Sequence, residues 1–287
     1  MAAASRSSSL ERGVLLKIAY DGRNYSGLAI QDNAITIAGV LEQAIAKMDP
    51  DASRLRVCSR TDAGVHARGQ YVAFDTNKDI SMRGWLLGIT GEIPSDIAIL
   101  SAARIRPGFE LSKAARQKTY RYSILQGTIR DPFLTGLSWR VSERLNHTRM
   151  QCEARDLLGT HDFRAFRGRS DLRIDTVRTM NEVSLEPSPV QRRVVHITVT
   201  GSAFLYHMVR IIAGTLVDVG RGKLEPGAVK RALSSGNRLD LGMTAPAAGL
   251  CLERIDLTEI GTDEWPYHLD GAPADEATTG AGCATRD

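Results

Sequence analysis

Two strand-like segments are separated by the polar stretch Cys58-Ser59-Arg60-Thr61-Asp62-Ala63-Gly64-Val65-His66-Ala67. The segments are residues 54–58 and 70–75, and the connection is more polar than a hairpin turn requires. Asp62 is its only carboxylate, Arg60 is placed to neutralise or orient it, and Gly64 permits a positive φ and hence a tight loop. Loops between rigid strands often carry reactive groups, but a simple turn, in which Asp62 bonds the backbone two residues on, stays equally open.

The segments around this stretch alternate between strands and helices. Residues 14–20 are an apolar run that predicts a buried strand. Apolar residues recur at helical spacing over residues 37–48, and Thr36 precedes them as a candidate cap. Residues 82–89 predict a second helix and residues 97–105 a further strand. The order β-α-β-β-α-β is that of the ferredoxin-like split unit.

The same order recurs in the second part of the chain. Strands are predicted over residues 118–125, 176–185, 192–200 and 250–257, and helices over residues 148–158, 204–219 and 226–234. We therefore expect an α+β fold of two pseudo-repeated ferredoxin-like halves, with one joined, mixed and mainly antiparallel sheet and a central cleft. The predicted divisions are a disordered N-terminus (1–12), an N-terminal half (13–110), a C-terminal half (111–260) and a disordered acidic tail (261–287).

Composition and charge narrow the class of protein. The 287 residues are 43% hydrophobic and 24% charged, which is typical of a soluble globular protein. No apolar run reaches the roughly 18–20 residues that span a bilayer, so no membrane association is expected. The four cysteines are scattered, which argues against a zinc site and favours the reducing cytoplasm. Without residues 262–287 the chain has 36 basic and 27 acidic side chains, and this excess favours a polyanionic partner.

The predicted helix over residues 204–219 contains a charge that needs a partner. The helix is apolar on most sides and is expected in the core, where Phe204 packs, yet His207 and Arg210 share a face. A buried guanidinium is costly unless it is paired. Arg210 therefore either pairs with a structural acid or points towards Asp62 or a phosphate, and both options stay open.

Two further segments contain candidate binding residues. Tyr120 and Tyr122 lie on one face of a predicted strand, where tyrosines are most often packing residues. Residues 161–169 interleave aromatic and basic side chains. Arginines bind phosphate and aromatic rings stack on bases, although phenylalanines in such a loop more often face the core. The candidate phosphate contacts are Arg164, Arg167 and Arg169.

Several motifs resemble one known family. Residues 60–67 are similar to the signature of the TruA family of tRNA pseudouridine synthases, and the resemblance extends from Val14 to about Leu257. The other similar segments are Tyr120-Arg121-Tyr122, His161-Asp162-Phe163, residues 201–210 and Gly249-Leu250. The chain departs from the family where residues 27–31 replace a Gly-Trp-Gln segment, where Ser59 replaces a frequent Gly, and where Lys118 replaces a common Arg.

The resemblance implies isomerisation of uridine to pseudouridine in the anticodon stem-loop (tRNA positions 38–40) by a homodimer whose cleft binds RNA. Asp62 would be the nucleophile or charge stabiliser, held by Arg60 or Arg210. Tyr120 would stack on the base and is a candidate general base. The other residues assigned to substrate binding are Arg210, Leu250, Phe204 and His66. An isomerisation requires no cofactor or metal in principle.

Two hypotheses from other classes remain. A non-catalytic RNA-binding or RNA-chaperone protein would keep the basic surface without needing Asp62 or Tyr120. A glycosidase-type hydrolase would release free uracil, but such enzymes use two carboxylates and the motif has one.

Overall fold

The computed structural model describes residues 10–258. Its strands are β1 (Arg12–Tyr20), β2 (Arg56–Val57), β3 (His66–Thr76), β4 (Ile97–Ile105), β5 (Ala115–Gln126), β6 (Trp139–Val141), β7 (Gly159–Asp162), β8 (Val177–Pro187), β9 (Val194–Gly201) and β10 (Leu250–Leu257). Its helices are α1 (Ile37–Met48), α2 (Met82–Thr90), α3 (Leu111–Ala114), α4 (His147–Arg155), α5 (Met208–Gly220) and α6 (Ala228–Ser235). Most of the predicted disordered N-terminus and all of the predicted disordered tail lie outside the described residues, but Arg12 already belongs to β1.

These ten strands form one sheet. Its order is β4-β1-β3-β10-β5-β9-β8-β7, with β2 beside β3 and β6 beside β5. The β3–β10 and β5–β6 pairs are parallel, and the other pairs within residues 10–258 are antiparallel. The predicted α+β class with a joined, mixed, mainly antiparallel sheet is confirmed. None of the helices in this range has the length and apolarity that crossing a bilayer requires.

Each half of the sheet has its own order of strands. The first half runs β4-β1-β3-β2 and the second runs β10-β5-β9-β8, so the first strand of each set lies between the third and the fourth. The halves meet where β3 and β10 pair in parallel, with His66 opposite Cys251 and Ala67 opposite Leu252. The pseudo-repeat and the cleft stay predictions, but this seam includes the last two residues of the stretch that contains Asp62.

Local sequence explains why the first elements form. Thr36 caps α1, because its hydroxyl accepts a hydrogen bond from the Gly39 backbone N–H at 3.2 Å, as predicted. Strand β1 lies between β3 and β4, so most of its residues are buried, in agreement with its continuous apolar run. In the core beside it, Trp85 of α2 packs edge-to-face on Phe74, with ring centroids 5.0 Å apart.

Two boundaries that shape the site differ from the predictions. Strand β3 begins at His66, four residues earlier than predicted, because His66 and Ala67 find partners in β10 and Ala67 also pairs with Tyr20 of β1. Helix α5 begins at Met208 rather than at Phe204, because His207 has the left-handed φ of 62°, which a continuing helix excludes. The short elements β6, β7 and α3 were not predicted.

Helix α5 approaches another backbone segment closely at Gly214. A Cβ atom at this position would lie 1.8 Å from the carbonyl oxygen of Met243. The segment that follows Met243 supplies the Ala245 carbonyl oxygen, which accepts a hydrogen bond from Arg210 Nε at 2.8 Å. The absence of a side chain at Gly214 therefore helps to position Arg210.

The Gly214→Ala variant is expected to be less stable than the wild type. In an open helix, alanine is favoured over glycine by roughly 0.5–1 kcal/mol. Here overpacking dominates, and the free energy of unfolding, measured by urea denaturation, should fall by about 1–3 kcal/mol.

The matched control is Gly91→Ala. Gly91 is exposed, has a φ of −68°, and an added Cβ would meet its nearest neighbours at an ordinary 3.6 Å, so stability should not fall. Equal stability of the Gly214→Ala variant and the wild type would contradict the close approach.

Candidate active site

The loop between β2 and β3 holds Asp62 in a tight turn. The Val65 backbone N–H donates to the Asp62 carbonyl oxygen at 3.1 Å, and Gly64 has a φ of 76°, as its expected role requires. The Gly64 backbone N–H donates to the Tyr25 carbonyl oxygen at 3.2 Å and not to the Asp62 carboxylate. The simple Asx-turn interpretation is therefore wrong, because the carboxylate is left available to other groups.

The partners of the Asp62 carboxylate come from α5 and the residue before it. Arg210 Nη1 lies 3.3 Å from Asp62 Oδ2, and His207 Nε2 lies 3.5 Å from the same oxygen. The Asp62 side chain is 21% exposed and that of Arg210 is 16% exposed. Of the two options for Arg210, the structure shows the contact with Asp62.

Arg60 does not hold Asp62, although the sequence placed it as an alternative to Arg210. Within the described chain, Arg210 forms the ion pair with Asp62, and His207 makes the other polar contact with its carboxylate. Arg60 is exposed and lines the mouth of the same cavity. Thr61, which lies between the two residues, is buried, and its hydroxyl forms a 2.7 Å hydrogen bond with the Tyr20 hydroxyl.

Asp62 lies in a cavity of about 580 Å³. Its walls come from the β2–β3 loop, β5, the segment before α5, and the first residue of β10. They include three more residues predicted for the site: Tyr120, Phe204 and Leu250. Tyr120 is 6% exposed and Leu250 is 5% exposed, and the rings of Tyr120 and Phe204 meet edge-to-face at 5.1 Å. The fold thus brings the aromatic and apolar residues of the prediction together around Asp62.

Tyr120 is neutral at physiological pH in this environment. Burial raises the pKa of Tyr120 to about 12, the hydrogen bond with Ser59 opposes that shift, and the negative charge of Asp62 adds to it. The Tyr120 hydroxyl lies 3.3 Å from Ser59 Oγ. Tyr122, on the same face of β5, donates its hydroxyl to the Pro246 carbonyl oxygen at 2.8 Å and fixes the segment that leads into Leu250.

His207 was not among the predicted site residues, although it shares a face of the predicted helix with Arg210. Burial lowers the pKa of His207 below its usual value, the carboxylate of Asp62 opposes this shift, and the charge of Arg210 adds to it. The imidazole beside Asp62 is therefore uncharged at neutral pH. Its contact with Asp62 depends on the left-handed backbone at His207, which the sequence pattern did not indicate.

The remaining predicted residues lie away from the Asp62 carboxylate. Both ring nitrogens of His66 are engaged elsewhere: Nδ1 accepts from the Gly22 backbone N–H at 3.2 Å and lies 3.1 Å from Asp21, and Nε2 lies 2.9 Å from the Gly136 carbonyl oxygen. His66 lines a second cavity instead. Its assignment to the substrate pocket is corrected, because its place in β3 directs the side chain away from Asp62.

The three arginines predicted as phosphate contacts differ in whether their side chains are already bound within the protein. Arg164 pairs with Asp162 at 2.9 Å, Arg167 donates to the Arg173 carbonyl oxygen at 3.0 Å, and Arg169 is exposed. None of the three lines the Asp62 cavity, but the residues that follow, 170–173, do. Phe163 and Phe166 are fully buried, as expected for core residues.

Comparison with known proteins places these features in a family. The family model described as tRNA pseudouridine synthase matches residues 154–256. The chain is 42% identical over 241 residues to tRNA pseudouridine synthase A of Pelobacter propionicus, covering 84% of this chain and 98% of that protein. It is 41% identical to the protein of the same name from Geobacter sulfurreducens, covering 85% of this chain and 99% of that protein.

A more distant similarity exists among solved structures. The crystal structure of a Cbf5-Nop10-Gar1 complex aligns with a TM-score of 0.37 and 10% sequence identity, covering 83% of this chain and 48% of that chain. The chain thus spans about half the length of that protein, and a similarity at this level carries no argument. The two sequence relatives, by contrast, match over almost their full length at more than 40% identity. The chain belongs to the tRNA pseudouridine synthase A family.

Proposed function

We propose that this protein converts uridine to pseudouridine in the anticodon stem-loop of tRNA, at positions 38–40, with Asp62 as the reacting carboxylate. The observation that carries the proposal is the Asp62–Arg210 contact of 3.3 Å at a cavity that Tyr120 and Leu250 also line. Membership of the family supports the reaction, and the resemblance of the motifs to TruA supports the anticodon arm.

The reaction balances without a second substrate. The bond between N1 of uracil and C1′ of the ribose breaks, and a bond between C5 and C1′ forms. C5 loses one proton and N1 gains one. Asp62 serves as the nucleophile, at C1′ or at C6, or as the group that stabilises developing positive charge on the ribose. Arg210 fixes the orientation of the carboxylate, because its Nε is itself held by the Ala245 carbonyl oxygen.

Tyr120 supplies a ring for the base and a hydroxyl for proton transfer. Its raised pKa keeps the hydroxyl protonated while Asp62 carries its negative charge. A covalent bond to Asp62 removes that charge, and its contribution to the raised pKa disappears with it. The lower pKa eases loss of the phenol proton. Because a protonated hydroxyl cannot take a second proton, Tyr120 accepts the C5 proton only as it passes its own proton on, and N1, which gains one proton in the overall reaction, balances that transfer.

The target uridine must leave its base stack to reach Asp62, at a cost of a few kcal/mol. Cations at the cavity supply part of the compensating binding energy. Lys118, Arg173 and Arg60 all line it, and we assign them with exposed Arg169 to the RNA backbone. Arg164 and Arg167 are weaker candidates for phosphate contacts, because neither lines the cavity and both are already engaged within the protein.

The hydrolase alternative lacks a suitable general acid. The second carboxylate at the cavity, Asp171, is bound by Arg173 through contacts of 2.8 Å and 2.5 Å. Hydrogen bonds from Arg173 hold the pKa of Asp171 well below its ordinary value, so it stays ionised. A glycosidase acid needs the opposite, a raised pKa.

The assembly and the location of the protein are inferred from its resemblance to the TruA family alone. We infer a homodimer whose two subunits both contact one tRNA, in the cytoplasm where unmodified tRNA is available. Sedimentation equilibrium with and without tRNA measures the mass of the assembly.

Purified protein incubated with an unmodified tRNA transcript should form pseudouridine in the anticodon stem without any added cofactor. Chemical mapping of pseudouridine along the tRNA, with chromatography of the small products, measures this outcome. Binding without product would support the RNA-binding alternative, and free uracil would support the hydrolase. Product outside the anticodon arm would refute the assigned positions but not the reaction.

Tyr120→Phe and Tyr120→Ala separate the two roles of Tyr120. The phenylalanine variant keeps the ring, so its Kd for tRNA should stay near that of the wild type. Its kcat should fall by roughly 100-fold or more, the range for a lost general base. The alanine variant should also bind tRNA more weakly. Wild-type turnover by Tyr120→Phe would show that the hydroxyl takes no part in proton transfer.

A further inference from the structure

An exposed aromatic ring lies at the rim of the Asp62 cavity. Tyr206 lines this cavity and is 38% exposed, whereas Tyr120 deeper inside is 6% exposed. The Tyr206 ring stacks on the imidazole of His207, with centroids 3.8 Å apart and planes 24° apart. Because His207 itself contacts Asp62, Tyr206 lies one ring farther from the reacting carboxylate.

The surrounding backbone holds Tyr206 in place. Its N–H donates to Asp171 Oδ2 at 2.8 Å, and its carbonyl oxygen accepts from the Gly168 N–H at 2.8 Å. Arg173, paired with Asp171, also donates to the Phe204 carbonyl oxygen at 3.0 Å. Residues 168–173 thus form a strap that fixes the segment before α5.

Gly168 leaves room for the two stacked rings. A Cβ atom there would lie 2.6 Å from Tyr206 Cδ1 and 3.2 Å from His207 Nδ1. The left-handed backbone of His207, unfavourable for a residue with a side chain, completes the arrangement. The same strap therefore orients a ring that remains partly open to solvent.

Fold stability does not account for this exposure. Tyrosine rings in a core are covered and their hydroxyls find partners, yet the Tyr206 hydroxyl has no hydrogen bond within residues 10–258. A partly exposed aromatic ring beside cationic side chains is the arrangement that stacks on unpaired nucleobases. The cations here are Lys118 and Arg173, which line the same cavity.

We propose that Tyr206 is a stacking platform for the nucleobase next to the target uridine. When the uridine turns into the cavity, its neighbour loses a stacking partner, and the Tyr206 ring replaces that partner at the rim. Tyr206 is thus a positioning residue that stabilises the opened RNA, while Asp62 and Tyr120 act on the uridine itself. This inference rests on the proposed function.

The test compares Tyr206→Ala, Tyr206→Phe and Tyr206→Trp with Phe133→Ala. Phe133 is a matched control because it is an 88% exposed aromatic residue that does not line the cavity. The probes are two ligated tRNAs that carry 2-aminopurine on either side of the target uridine. The measurements are the Kd, the change in 2-aminopurine fluorescence on binding, the rate of pseudouridine formation, and the thermal melting of each variant.

Tyr206→Ala should weaken tRNA binding by roughly 10-fold or more and lose the fluorescence quenching of one probe. The aromatic variants should retain both properties, and Phe133→Ala should match the wild type. If the wild-type protein forms pseudouridine but Tyr206→Ala behaves like Phe133→Ala, the stacking role of Tyr206 is overturned and the proposed function is not. Failure of Tyr206→Phe to retain binding would assign the effect to the hydroxyl and also overturn it. Absence of pseudouridine with the wild type would instead refute the proposed function.

Discussion

The ion pair between Asp62 and Arg210 joins side chains 148 residues apart in the chain. Both groups are mostly removed from solvent, and a partly buried charge is tolerated only when an opposite charge faces it. The pair therefore requires that several features hold at once. The β2–β3 loop must turn at Gly64, β3 must pair with β10, and α5 must lie close enough to residue 243 for the Ala245 carbonyl oxygen to hold the guanidinium. The seam between the two halves of the sheet is thus also the scaffold of the site.

The charges inside the cavity are arranged by depth. At the centre, the carboxylate of Asp62 faces the guanidinium of Arg210, while His207 and Tyr120 are both kept neutral by burial. At the mouth, cationic side chains predominate, and the one other carboxylate is occupied by Arg173. A polyanion is attracted to the mouth, and the neutral base meets the Asp62 carboxylate deeper in the cavity.

Much of the fold follows from local sequence, and the site follows from it only in part. Periodicity and capping predicted α1 with its Thr36 cap, and the apolar run predicted β1, because both signals are local. The cost of burying a charge correctly indicated that Arg210 needs an acid. Local sequence could not predict the left-handed backbone of His207 or the early start of β3 at His66, because distant strands and loops impose both. Local sequence also could not separate the neighbours in the motif: Arg60 lines the Asp62 cavity without contacting the carboxylate, and His66 lines a different cavity.

The central claim is that the Asp62 carboxylate, held by Arg210, carries the chemistry rather than the binding of RNA. The most direct measurement is single-turnover pseudouridine formation by the isosteric Asp62→Asn variant, with the Kd for tRNA determined on the same sample. The account predicts a Kd near that of the wild type and no detectable pseudouridine. Product formation at a rate close to that of the wild type would contradict it.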